Sequence, residues 1–445
     1  MSAFVGSVLA AAGMLLVYLI ARHATNGTSS TVRVLARAGV LAAVGVAFAA
    51  VMLFSPTLKH VRDSPLSSPI EEEIRHAAEA DAPRSARQSA ADADRLAATG
   101  EATPPDWQVV PVFYGTDREQ QVSRARLQYN SERGRRLELG RAMVTVPKIH
   151  AIPNIERPWV VKIPYFDITL YEEAEDPAKH FTVQEIRKLP EADFLELVRQ
   201  RIAASDRYKD HALLFVHGYN TSFDHAIYRT AQIAYDLKFD GAAFLYSWPS
   251  GGAVASYTYD RESAQASEPY MRQFLELVVK ETGAKSVSII AHSMGNQPLL
   301  DVLKDMRSTG PGEVTISEVI LAAPDVDADN FANVAQRIEG MSRGVTLYAA
   351  ANDRALIVSR NFWRNPRAGD VPPSGPLIVP GVETIDITAV STDSFSLNHS
   401  GYAENNDLLQ DIGKLILSGS RPPEERLPAL RRTPSPKGDY WRYTP

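Results

Sequence analysis

The sequence predicts an α/β domain, a mostly parallel sheet covered by helices on both faces, preceded by two transmembrane helices. Three observations predict it. From Ala212 onward, short β-branched runs alternate almost strictly with amphipathic segments, as in a parallel sheet joined by helical crossovers. One of those runs, 286–290, leads through a sharp turn at Ser293 into a helical segment. Two uncharged apolar stretches, 1–21 and 38–58, stand ahead of the domain. Each supplies the roughly 20 residues that cross a hydrocarbon core of about 30 Å.

The spans are placed at about 4–20 and 38–56 within a membrane segment 1–62. No basic n-region precedes the first stretch and no small-residue cleavage site follows it, which argues against a removed signal peptide. Arg22, Arg33 and Arg37 lie between the spans, against Lys59 and Arg62 after them. By the positive-inside rule the connecting loop is cytoplasmic and the large C-terminal part extracytoplasmic. Residues 63–106, rich in Ala, Asp, Arg, Ser and Pro, read as a flexible linker, and 419–445, rich in Pro and Arg, as a disordered basic tail.

Between them, 107–418 carries the domain. Strand-like runs fall at 109–114, 142–147, 159–171, 212–216, 242–248, 287–290, 319–323, 345–350 and 382–390. Helix-like segments fall at 191–204, 222–237, 261–282, 296–306, 328–342 and 406–417. Net charge is −6 over 445 residues, so bulk charge gives no footprint for nucleic acid. The chain has no cysteine, which excludes thiol nucleophiles, thiolate metal sites and disulfides.

In Ala291-His292-Ser293-Met294-Gly295, a strand, a sharp turn and a helix put a serine at the apex between small residues. Glycine is usual two residues before such a serine, and Ala291 stands there. The chain order of this arrangement is Ser, acid, His, and of ten histidines only His399 follows Ser293. It sits in a loop before the last helix, where the base is needed. Asp353, after the penultimate strand, is the favoured acid; Asp325 or Asp327, after the preceding strand, is the alternative, with helix capping as its structural role. His217-Gly218-Tyr219-Asn220 follows a buried strand, and the backbone N–H groups of Tyr219 and Met294 are the expected oxyanion donors. His217 precedes the serine and is expected to hold this turn. Asn220 and Trp248 are pocket candidates, Trp248 as an aromatic wall at a loop lip. Asp325, Asp327 and Asp329 lack the glycine and terminal glutamate of a calcium loop, and no metal or cofactor is expected.

HGYNTSF (217–223), FLYSWPSGG (244–252), YTYDRESA (257–264), IIAHSMGN (289–296) and APDVDADNF (323–331) resemble a bacterial α/β-hydrolase family described as esterase/lipase-like and of unknown function. FYGTDR (113–118) and the stretch 140–158 look like its N-terminal signature. The resemblance covers roughly Val109 to Ser418 and implies an α/β-hydrolase fold with Ser293, Asp353 and His399 as its triad. It implies little about substrate.

The expected activity is a membrane-anchored serine hydrolase of ester, thioester or lipid-type acyl bonds, acting on a small-molecule or lipid substrate through an acyl-enzyme. A non-catalytic membrane-tethered scaffold, or an amidase or peptidase on the same triad, are the alternatives.

Overall fold

The computed structural model describes residues 105–121, 126–162, 169–252, 256–308, 316–389 and 402–445. Both expected membrane spans and nearly all of the linker lie outside these residues. No helix among the described residues is long and apolar enough to cross a membrane.

The first described elements are a long antiparallel hairpin, β1 (Trp107–Gln121) and β2 (Gln128–Pro147). The run expected at 159–171 forms two short strands of a separate sheet, β3 (Val160–Lys162) and β4 (Thr169–Glu172). Then come β5 (Thr182–Lys188), α1 (Glu191–Ala203), β6 (His211–Val216), α2 (Phe223–Asp236) and β7 (Ala242–Ser247). The single helix expected at 261–282 is two, α3 (Tyr257–Ala266) and α4 (Glu268–Lys280). Pro269 lies in the first turn of α4, where its missing N–H costs nothing, whereas inside a continuous helix it would kink or break it. Next follow β8 (Ser286–His292), α5 (Asn296–Ser308), β9 (Ile316–Ala322), α6 (Ala328–Arg337), β10 (Ser342–Ala349), α7 (Arg354–Trp363), β11 (Val382–Asp386) and α8 (Tyr402–Ser418).

With two last strands, β12 (Leu430–Ser435) and β13 (Gly438–Tyr443), the main sheet has the order β12-β13-β11-β10-β9-β8-β6-β7-β1-β2-β5. From β1 across to β13 its neighbours pair parallel; β2, β5 and β12 add antiparallel edges. Successive residues of each central strand face opposite layers. Leu214, Phe244 and Ile289 join Phe194, Phe274, Leu299 and Phe331 from α1, α4, α5 and α6. Their neighbours Phe215, Leu245 and Ile290 pack instead with Ile227 of α2 and Ile412 of α8. Two buried faces explain why the strands read as continuous apolar runs.

β6 and β8 lie side by side, yet their following helices α2 and α5 cover opposite faces. That makes their carboxyl ends a topological switch point, where an open parallel sheet leaves a crevice.

Residues 419–445 are not a solvated tail. They form α9 (Pro423–Arg426), β12 (Leu430–Ser435) and β13 (Gly438–Tyr443), and β13 extends the sheet through Ile385–Trp441 and Asp386–Arg442 pairing. Composition hid the cause. Leu430, Tyr440 and Tyr443 are buried at spaced positions, and the buried Arg426 donates from Nε to Asp411 at 2.8 Å.

The connection after β2 is pinned to α2 by His150. Its Nδ1 faces Glu156 Oε2 at 2.8 Å and its Nε2 faces Asp236 Oδ1 at 2.9 Å. Carboxylates only accept, so both ring nitrogens carry protons. Burial opposes that charge, but the hydrogen bonds and charges of Asp236 and Glu156 outweigh it and raise the imidazole to about 9. A folded value above the unfolded 6.5 stabilises fully below pH 6.5, and the contribution is lost as pH rises through 9. Denaturant unfolding of wild type and His150→Gln is expected to differ most at pH 6. The pH-dependent part of that difference, about 3 kcal/mol, should vanish by roughly pH 10. A difference constant across this range would remove the charged latch.

Candidate functional site

β8 is buried from Val287 to Ala291 and delivers Ser293 at the carboxyl edge. Ser293 has φ +50°, the left-handed region that a side chain with a Cβ adopts at a cost of about 1–3 kcal/mol. Surrounding contacts hold it there. The Ser293 carbonyl accepts from Asn296 Nδ2 at 2.9 Å and from the Asp325 amide at 3.2 Å. The same Asn296 nitrogen reaches Ala291 O at 3.2 Å. A one-turn 3₁₀ segment, Ser293–Gly295, then feeds α5, so the amide of Met294 lies at a helix start.

The turn after β6 presses directly against this elbow. A Cβ on Gly295 would stand 2.3 Å from the His217 carbonyl, and one on Gly218 would stand 3.0 Å from both His292 Nδ1 and Ser293 Cβ. Glycine is therefore required at 295, where the obstacle is backbone, while at 218 a side chain would have to push its neighbours by a few tenths of an ångström. Tyr219 follows, its ring edge-on to Tyr257 at 5.4 Å. Asn220 is exposed with φ +55°, and its amide donates to Asp260 Oδ2 at 2.9 Å.

Two histidines flank the serine, and burial holds both neutral. His217 falls well below its ordinary value through burial and then the Arg118 charge. Its Nδ1 faces the Gly218 carbonyl at 2.8 Å, an acceptor, so the proton sits on Nδ1. Nε2 then accepts from Ser247 Oγ at 3.1 Å. His292 drops to about 4, from burial and then Arg229.

The three acidic candidates separate clearly. Asp353 follows β10, is 6 % exposed, and accepts from the Leu356 amide at 3.0 Å as the cap of α7. Asp325 follows β9 with both oxygens engaged: Oδ1 with Ser359 Oγ at 2.5 Å and Arg367 Nε at 3.0 Å, Oδ2 with Tyr257 Oη at 2.7 Å. Asp327 caps α6, accepting from the amides of Asp329 and Asn330 at 3.1 Å. His399 lies outside the described residues, in the 390–401 segment after β11.

Trp248 is not a wall at the lip. It is completely buried, stacked on His217 at 4.9 Å, and donates from Nε1 to the His217 carbonyl at 2.8 Å. Its indole N–H needs a partner once buried, and the turn's carbonyl supplies it. A cavity of about 350 Å³ lined by Val110, Pro111, Arg201, Tyr235 and Asp240 lies at the start of β1 and contains none of these residues. Among the described residues no group of three or more His, Asp or Glu is placed to share a metal ion.

Sequence reasoning assigned no role to Arg118, Asp117 or Asp260, all buried at this edge. The available signal was their place in the FYGTDR and YTYDRESA motifs. Burial raises Asp117 to about 6, with the hydroxyls of Ser267 and Tyr246 donating to it at 2.7 and 2.9 Å. Burial lowers Arg118 to about 10, which leaves it charged at neutral pH.

A family model described as "Alpha/beta hydrolase of unknown function (DUF900)" matches residues 191–421, just over half of the chain. No curated protein matches it.

Proposed function

Since the chain belongs to this family of alpha/beta hydrolases of unknown function, we propose that it is a serine hydrolase of carboxylic ester, thioester or lipid-type acyl bonds. The observation that carries the reading is Ser293 at φ +50°, strained at the end of a buried strand and pressed by a glycine turn. Such strain persists where the surroundings over-determine it, and a sharp elbow of this kind turns a serine out of the strand end, here with Ser293 8 % exposed.

Ser293 Oγ attacks the carbonyl while His399 takes its proton. The amides of Tyr219 and Met294 receive the oxyanion, His399 returns the proton to the leaving group, and water releases the acyl chain. His217 and His292 are poor bases, since burial disfavours their charged forms. His399 is the one histidine that follows the serine.

Strand spacing favours Asp353 as the acid. Neighbouring strands are about 4.8 Å apart, so β10, two strands from β8, puts Asp353 roughly 10 Å across from Ser293. A histidine bridging serine and carboxylate needs roughly 8 Å, two hydrogen bonds of about 2.8 Å plus the ring. Asp325 follows the adjacent strand β9, and its oxygens already serve Arg367, Ser359 and Tyr257. The two N-terminal apolar stretches would tether the enzyme to a membrane and favour acyl substrates that partition there.

The test is an acyl-ester series of increasing chain length, run on wild type and Ser293→Ala with a fluorophosphonate probe. Hydrolysis and labelling confined to wild type support the reading; equal rates for both proteins at every chain length reject it.

A further inference from the structure

Arg118 stands just beyond the last parallel pairing of β1 with β7, Thr116 with Ser247, and is 2 % exposed. Its Nε donates to Ser247 Oγ at 2.9 Å, Nη1 to the Ser250 carbonyl at 3.1 Å and Nη2 to the Thr221 carbonyl at 2.8 Å. Nη1 also reaches the Asn130 carbonyl of β2 at 3.2 Å. One guanidinium thus joins the turn after β6 to the segment after β7.

Asp260 of α3 grips the same two loops through their other groups. It accepts from the Asn220 amide at 2.9 Å, the Gly251 amide at 2.6 Å and Ser250 Oγ at 2.6 Å. Ser250 Oγ in turn accepts from the Thr221 amide at 2.9 Å. The cation takes loop carbonyls and the anion takes loop amides. Between them they fix residues 220 and 221, directly after Tyr219, with Asn220 held at φ +55°.

We propose that Arg118 and Asp260 are positioning residues that lock the 217–221 turn so that the Tyr219 amide faces the developing oxyanion. This rests on the serine-hydrolase reading of Ser293. An oxyanion donor accelerates reaction only when it is already aimed at the position the charge will occupy. Fixing it with a planar fork and a buried carboxylate removes the reorganisation that a mobile loop would need. Lysine is a point charge without that fork, so it cannot hold Ser247, Ser250 and Thr221 together. The charges of Asp117 and then Asp260 also keep the buried Arg118 from standing uncompensated.

The experiment measures p-nitrophenyl butyrate hydrolysis per fluorophosphonate-labelled site in wild type, Arg118→Lys and Ser250→Ala. End-point labelling counts folded, competent sites, so simple loss of folded protein does not enter the rate. Arg118→Lys is expected to lower kcat per site about 10²-fold with KM within about twofold of wild type. Ser250→Ala, which removes only the link between Asp260 and the Thr221 amide, is expected to lower it about fivefold and carries the test if Arg118→Lys does not fold. Per-site kcat unchanged in the variants that fold overturns the positioning role. A wild type that neither labels at Ser293 nor hydrolyses the ester overturns the serine-hydrolase reading itself, and the positioning role with it.

Discussion

Ser293→Ala is expected to lower ester hydrolysis by at least about 10⁴-fold and to abolish fluorophosphonate labelling, with little change in thermal midpoint. In the proposed mechanism the size follows from the serine's place in a unit: without Oγ no acyl-enzyme would form, and water would attack with only the proposed oxyanion donors helping. Stability should hold because alanine keeps the Cβ that already tolerates φ +50°, and the hydrogen bonds that fix the elbow go to the Ser293 carbonyl, not its side chain. Activity and midpoint measured together check this. Turnover persisting within tenfold of wild type would mean that hydrolysis occurs elsewhere.

Asp353→Asn and Asp325→Asn are expected to fail in opposite ways. Asparagine at 353 can still accept from the Leu356 amide and cap α7, so the helix start should survive and the loss should fall mainly on activity. It cannot stabilise a positively charged histidine, and kcat should fall about 10⁴-fold. Asparagine at 325 breaks a buried pair in which Arg367 is 3 % and Asp325 5 % exposed, leaving the guanidinium uncompensated. Unfolding free energy should drop by about 3–5 kcal/mol while the folded fraction keeps activity within about tenfold. Denaturant melts and kcat on both variants check the pair; the reverse pattern would make Asp325 the acid.

The elbow was legible in the sequence because its chemistry is local: a buried strand, a serine between small residues and a helix occupy one continuous stretch. The turn at 217–220 was legible for the same reason. Trp248 was not. An aromatic beside Pro249 and two glycines reads as a loop lip, and only the stacking of β7 beside β6 shows the indole turned under His217. The tail escaped for a related reason. Prolines and arginines dominate its average, whereas Tyr440 and Tyr443 find their buried places only once β11 offers an open edge.

Arg118 and Asp260 mark the same boundary most clearly. They are 142 positions apart in the chain, and no spacing rule connects them. The local sequence by itself determined the α/β class, the strand–turn–helix elbow at Ser293, the one histidine that follows it and the apolar N-terminal stretches, because each is written in neighbouring residues. The tertiary structure decided which carboxylate is consumed by a buried arginine, which aromatic lies beneath the turn, and which pair of opposite charges fixes that turn. Those outcomes depend on strand order and burial, which bring distant side chains into hydrogen-bond range and penalise any charge left without a partner.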